Sequence, residues 1–438
     1  MLKTLRQALQ IDDIRRKIIY TLLMLIVIRF GSILPTPGVD PTYIKDFFDS
    51  QTGDAFNFFN AFTGGSFTSM SVFALSITPY ITSSIIMQLL TIAIPKLEEM
   101  QKEGEEGRKK ITAITRYVTV ALALIESGAM AFSFGNQGLL VESNIVNKVI
   151  VVLTLTAGSA FLMWIGERIT ENGVGNGISI VLLINILSRL PQDFTTLYEQ
   201  FVKGKTLAKG GLAALIILLI ILVVVVFVIV LQGGERRIAV QYSQKIQGRK
   251  TVGGQSTHIP LKVNTSGVIP IIFASSLMQF PIVIASFMGK GNGTGIGSQI
   301  LSGLNSANWC KPTNLVPTWG LLVYILLTIF FAYFYTSITF NPLEIANNMK
   351  KNGGFIPGIR PGKPTVEYLT KILNNIIFIG ACGLVIVQVI PFFFNGVFGA
   401  NVSFGGTSLI IIIGVVLDTI KQIESQMLVR NYKGFLNS

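Results

Sequence analysis

Apolar residues in this chain come in long unbroken runs. They form neither the i, i+3, i+4 stripe of a water-facing helix nor the alternation of a half-buried strand. The clearest run is Leu212 to Leu231, almost entirely Leu, Ile and Val. Ten such stretches can be delimited, at 18–34, 72–94, 112–134, 146–165, 177–190, 212–231, 267–288, 318–340, 372–391 and 406–422. Each approaches the roughly 20 residues a helix needs to cross a bilayer, although 177–190 is short and polar at its start. Continuous runs argue against a transmembrane β-barrel, whose strands alternate. The pattern predicts an all-α polytopic membrane protein with ten transmembrane helices. The first run leads into Pro35-Thr36-Pro37-Gly38 rather than a small-residue cleavage site, so it reads as a retained span and not a signal peptide.

The polar segments between the runs set the orientation. With the N-terminus in the cytoplasm, the cytoplasmic segments with their adjoining run ends hold 26 Lys and Arg and the external ones 8, and Arg29 lies well inside the first run. The positive-inside bias therefore predicts N-in and C-in. Ten spans divide into two halves of five, 1–190 and 191–438. An odd number per half inverts the second relative to the first, the arithmetic of an inverted repeat around a central pathway. Two basic loops, 232–266 and 341–371, face the cytoplasm. The outer segment 35–71 contains Ala55-Phe56-Asn57-Phe58-Phe59-Asn60-Ala61-Phe62, which Asp54 can cap and Gly64-Gly65 can end. It is too short to span and predicts a half-helix at about 55–66.

Composition narrows the class. Only 13% of the 438 residues are charged and 50% are apolar, with 43 Gly besides. Charge is about half the roughly 25% of soluble domains, which excludes a single soluble domain. The net charge of +13 needs no nucleic acid to explain it, because topology already does. Two cysteines, Cys310 and Cys382, and one histidine build neither a disulfide framework nor a zinc site, and no metal ligand set is expected. No P-loop is present, and Gly173-Val174-Gly175-Asn176-Gly177 reads as a tight turn opening the fifth span. With no catalytic set and no cofactor motif, an enzyme is not expected.

Polar groups inside the spans remain. The second span is rich in hydroxyls around Pro79, with Ile77, Ile81, Ser84 and Gln88 on one helical face. The seventh places Ile272, Ser276 and Gln279 on one face between Pro270 and Pro281. Such faces serve either helix–helix packing or the lining of a pathway. Glu126, within the third span, is open to three readings: neutral, snorkelling or pore-facing. A secondary transporter is the alternative function, favoured by inverted halves and disfavoured because the pathway candidates are aliphatic and hydroxylic rather than ionisable.

Several motifs resemble the SecY family, the channel subunits of the bacterial protein-export translocase. They are Arg29-Phe30-Gly31, Pro35-Thr36-Pro37-Gly38, Asn176-Gly177-Ile178-Ser179, Gly248-Arg249-Lys250, the stretch Gln255 to Asn264, Phe340-Asn341-Pro342, Phe355 to Gly362 and Phe404 to Leu409. The resemblance runs in order from about residue 1 to 433. It implies a channel moving unfolded secretory polypeptides across the bacterial cytoplasmic membrane and releasing membrane segments sideways into lipid. A pore ring is implied at Ile77, Ile81, Leu182, Ile272 and Ile411, where the family often has Ile at the position of Leu182. A plug is implied at Phe56, Phe58, Phe59, Phe62, Gly64 and Gly65, and a lateral gate at Ser84, Gln88, Ser276 and Gln279. Docking of a motor or ribosome is implied at Arg249, Lys250, Lys262, Lys350, Lys351, Arg360 and Lys363; for these loops positive-inside anchoring alone accounts for the charge. The implied partners are the SecE and SecG subunits, the SecA motor ATPase, the ribosome, signal sequences with their unfolded preproteins, and membrane lipid. The outer loop 289–317 matches no usable motif.

Overall fold

The computed structural model describes residues 2–40, 42, 63–135, 140–142, 144–203, 207–242, 245–247, 250–252, 256–287, 296–311, 316–398 and 406–436. Helices dominate: α1 (Leu2–Gln10), α2 (Asp12–Ile33), α3 (Thr78–Ala93), α4 (Pro95–Lys102), α5 (Glu105–Gly135), α6 (Ile145–Asn172), α7 (Gly177–Phe201) and α8 (Leu207–Gly233), then α9 (Ile269–Phe287), α10 (Ile296–Leu304), α11 (Trp319–Thr339), α12 (Pro342–Lys351), α13 (Lys363–Phe398) and α14 (Gly406–Leu436). A helix lies over each of the ten apolar stretches. Among the described residues six are long and apolar enough to cross a membrane, and a seventh counts if α3 and α4, bent by 101°, are taken together. The most apolar of these helices, α8, leaves Leu215, Leu218, Leu222, Val226 and Val230 exposed, a surface suited to lipid rather than water.

Local chemistry sets the ends. Asp12 and Asp13 stand in the first turn of α2, where they complement the helix dipole. The Asn176 side chain accepts from the backbone N–H of Ile178 and Ser179 and so caps α7. Asn341 does the same for α12, with Pro342 in its first turn. Gly177 sits so close to the carbonyl of Gly166 that a Cβ there would collide with α6.

Three expectations need adjustment. The second helix starts at Thr78, not 72, because residues 64–77 run through successive turns. These turns are tied back to the end of α2 by Thr36 N–H to Met70 O and Val72 N–H to Leu34 O, both 2.9 Å. The fifth helix continues through Pro191 to Phe201, so the expected division at 190/191 falls inside α7.

The all-α expectation is corrected by strands within the basic loops. They are β1 (Glu235–Tyr242), β2 (Lys245–Gln247), β3 (Lys250–Val252), β4 (Ser256–Lys262) and β5 (Gly354–Phe355). β4, β1 and β5 form one antiparallel sheet, with Ile238 opposite Ile259 and Tyr242 opposite Gly354. One strand of that sheet comes from the other loop, so 232–266 and 341–371 fold together as a single cap. Its core joins Ile238, Val240 and Leu261 to Ala346, Met349, Ile356 and Leu369. Part of the outer loop 289–317 also folds. It carries α10 and buries Trp309, whose indole N–H donates to Gly303 O at 2.7 Å and whose ring packs on Tyr324 and Phe392.

Candidate functional site

The five aliphatic residues assigned to a ring come from four helices and meet in one apolar cluster. Ile77 caps α3 and Ile81 lies one turn on, Leu182 sits on α7, Ile272 on α9 and Ile411 on α14. Ile77, Leu182 and Ile411 are buried, at 0%, 6% and 2% exposure, while Ile81 and Ile272 are half-buried at the cluster's edge. Behind them stand Ile28, Phe73, Leu162, Ile165, Ile169, Ile180, Val181 and Ile186. These side chains offer no donor or acceptor. A neck built this way repels water and ions and holds nothing by hydrogen bonds.

The residues that the resemblance implies for a plug are described only in part. Phe56, Phe58, Phe59 and Phe62 lie outside the described residues. Gly64 and Gly65 adopt φ of +67° and +86°, where glycine alone is at ease. Gly64 lies against α7: Ser188 Oγ is 3.3 Å from its carbonyl oxygen and accepts from Arg29 Nη1 at 3.0 Å. One turn back on α7, Asn185 Nδ2 donates to Ser76 Oγ at 2.9 Å, and Ser159 Oγ donates to Ser76 O at 3.2 Å. Sequence reasoning passed over Asn185, although a lone amide in the apolar run Ile180 to Ile186 was the available signal.

The gate residues lie on two helix pairs. α3 is fastened to α5 by Ser83 Oγ and Thr119 Oγ1, 2.5 Å apart. α9 is fastened to α11 by Ser275 Oγ and Tyr324 OH at 3.1 Å and by Phe273 stacked on Phe331. The pairs touch where α9 meets α5. Ser84 and Ser276 are half-buried and Gln88 is exposed; the side chain of Gln279 lies outside the described ones. Among the described residues no side-chain hydrogen bond joins Ser84 or Gln88 to Ser276. The hydrogen bonds fall instead to the neighbouring Ser83 and Ser275, each inside its own pair. Glu126 is half-buried on α5, and Arg116 of that helix pairs with Glu167 of α6 at 2.7 Å.

The cap presents the basic residues. Arg249 lies outside the described residues, and Lys250 opens β3 opposite Gln247. Lys350 and Lys351 stand exposed in the last turn of α12, where cations suit the helix dipole. Arg360 is exposed between Gly358 and Gly362, both at positive φ, while Ile356 and Ile359 root the loop in the cap core. Thr365 Oγ1 donates to Arg360 O at 2.9 Å and fixes the turn, and Lys363 is exposed beside it. Lys262 Nζ is 3.7 Å from Asp418 Oδ1, and Lys421 Nζ 3.5 Å from Glu235 Oε1. Since Glu235 and Lys262 face each other across β1 and β4, four charges join the cap to α14. Among the described residues no cluster of three His, Cys, Asp or Glu suits a metal ion.

Comparison with known proteins matches this architecture. The SecY family model covers residues 71–420. The protein translocase subunit SecY of Halalkalibacterium halodurans is 44% identical, with all of both chains aligned. A solved protein conducting channel superposes with a TM-score of 0.64 at 16% identity, covering 94% of this chain and 93% of that one. Sec61 from the canine ribosome-channel complex superposes with a TM-score of 0.58 at 14% identity, covering 94% and 93%. The last two establish likeness of fold. With the family model over most of its length and a relative matched end to end, the chain belongs to the SecY family.

Proposed function

We propose that this chain is the protein-conducting channel of a bacterial translocase, closed at rest by the aliphatic ring and blocked on the outer side by the plug. Unfolded secretory polypeptides pass through the ring, and membrane segments leave sideways into lipid. It is a multi-pass membrane protein and a channel subunit rather than an enzyme; the driving force belongs to a separate partner. In this reading α2, α3, α5, α6 and α7 form one half, and α8, α9, α11, α13 and α14 its inverted counterpart, joined between α7 and α8. All ten cross the cytoplasmic membrane with both termini inside. The cap is the docking face for the ribosome or the SecA motor, and SecE and SecG are the expected small subunits.

The observation that carries the reading is the ring. Five aliphatics spread from Ile77 to Ile411 in sequence come together from four helices in one cluster. A neck without polar atoms accepts any side chain in passing and still refuses ions when empty. A secondary transporter needs ionisable residues at its midplane site, and family membership gives it no support.

The gate reading adds an energy scale. Leu-like residues of a signal sequence gain about 0.3–0.6 kcal/mol each at mid-bilayer. Ten of them supply about 3–6 kcal/mol, enough to move a closed–open equilibrium by about two to four decades. The contact between α5 and α9, with hydrogen bonds kept inside each pair, suits parting at that seam.

The test is a stalled secretory chain with cysteines at Ile81 and Ile272, in a chain whose Cys310 and Cys382 are replaced. Crosslinks at both positions support the channel. Solute uptake with no crosslink at either position supports a transporter.

A further inference from the structure

Asn185 is 2% exposed on α7, within an otherwise aliphatic run. Its Nδ2 donates to Ser76 Oγ at 2.9 Å, while its Oδ1 is a buried acceptor that no donor reaches. Such an atom is costly, and a leucine at 185 would pack among Leu182, Ile186 and their neighbours without it. What the amide supplies is the bond to Ser76. Ser76 is itself 1% exposed and held at φ +52°, a conformation that residues other than glycine rarely adopt. It directly precedes Ile77, which caps α3 and belongs to the ring cluster.

The same residue faces the plug. A Cβ on Gly64 would come within 2.8 Å of the Asn185 carbonyl oxygen and of Ser188 Oγ. The hinge glycine is therefore seated on the backbone of Asn185, with Arg29 steadying Ser188 at 3.0 Å. One side of the residue fixes where α3 begins and the other fixes where the plug segment turns.

We propose that Asn185 is a positioning residue for closure: its amide pins Ser76 and with it Ile77, its backbone seats Gly64, and ring and plug hinge are latched by one residue. This rests on the ring and plug reading above. The latch is a single hydrogen bond beside an unmatched acceptor. When α3 moves away from α7, both ends of the amide become free to find partners, so release costs little.

The experiment measures resting ion conductance of the purified translocase complex in planar lipid, alongside its melting temperature. Asn185→Leu and Ser76→Ala are each expected to raise resting conductance about tenfold, the scale of one buried hydrogen bond. The double variant is expected to leak no more than either single one, with melting temperatures unchanged. Unchanged conductance in both single variants overturns the latch, as do multiplying effects in the double variant. A leak that only follows a falling melting temperature assigns Asn185 a merely structural role and also overturns it. Should Asn185→Leu fail to assemble, Ser76→Gly decides: it removes the acceptor while easing the backbone, and the same tenfold leak is expected. Ile81→Gly is the reference. If it leaks and the latch variants do not, only this inference falls; if it too is silent, the ring reading falls with it.

Discussion

The ring and the cap solve opposite problems with opposite materials. The ring gathers Ile77, Ile81, Leu182, Ile272 and Ile411 in an apolar cluster, and these five side chains hold one another by packing. The cap is a small sheet on its own core, and it exposes Lys350, Lys351, Arg360 and Lys363, its docking set in the proposed reading. A surface of that kind recognises a partner through long-range charge and loses its grip as salt screens it. Apolar packing takes no sides among passing sequences and answers weakly to salt. Selectivity for the partner and indifference to the cargo are thereby kept in different places, connected through α14. That helix carries Ile411 and, two turns later, Asp418 and Lys421 against the cap.

Four measurements press on this contrast. The largest effect belongs to the ring. Replacing Ile81 and Ile411 together with glycine should raise resting conductance on the order of a hundredfold, because the neck then wets. The current should change little with the salt dependence of partner binding. Next comes Arg360→Glu, which sets a like charge against whatever acidic or phosphate group docks there. Motor-driven transport into reconstituted vesicles should fall about a hundredfold, with resting conductance unchanged. Normal transport would remove Arg360 from the docking face.

The gate is intermediate. Gln88→Leu should relax the discrimination between strong and defective signal sequences about threefold in an export assay, the scale of one Leu-like residue at mid-bilayer. Unchanged discrimination would take Gln88 out of the gate. The smallest effect is expected at the link between the two regions. Exchanging the charges of Lys262 and Asp418 should cost at most about 1 kcal/mol of cap stability, as for other exposed pairs, and either single reversal somewhat more. Loss of transport in the exchanged variant with the cap still folded would mean that this pair transmits docking to the ring.

Much of the framework was legible from composition because a bilayer leaves few options. Backbone groups in lipid must pair within their own segment, so a long apolar run means a helix. Helices indeed cover every run. The ring assignment came only through motif resemblance, since an isoleucine at a neck has the same chemistry as one facing lipid. What escaped reading depended on contacts distant in sequence. β1 carries a visible alternation, with Ile238 and Val240 buried and Arg237, Ala239 and Gln241 exposed, yet nothing near it announces that β5 completes its sheet. The fifth apolar run stops at 190, but α7 continues through Pro191 to Phe201. Ser83 and Ser275, one position before the Ser84 and Ser276 that the resemblance implied for a gate, carry the hydrogen bonds, each inside its own helix pair. Which hydroxyl turns toward a partner is decided by how two helices meet, and the hydroxyl-rich composition of the second span did not encode that. Asn185 was readable as an anomaly, though its partner Ser76 became apparent only once the turns before α3 were known.

The pairing of Tyr242 with Gly354 carries a consequence for biogenesis. As the chain emerges from the ribosome that makes it, β1 and β4 can zip together early, but the third strand arrives only after α9 and α11 have been made. Until then the nascent molecule lacks a finished platform. In the proposed reading, a half-made copy has no finished docking face to offer a motor or ribosome.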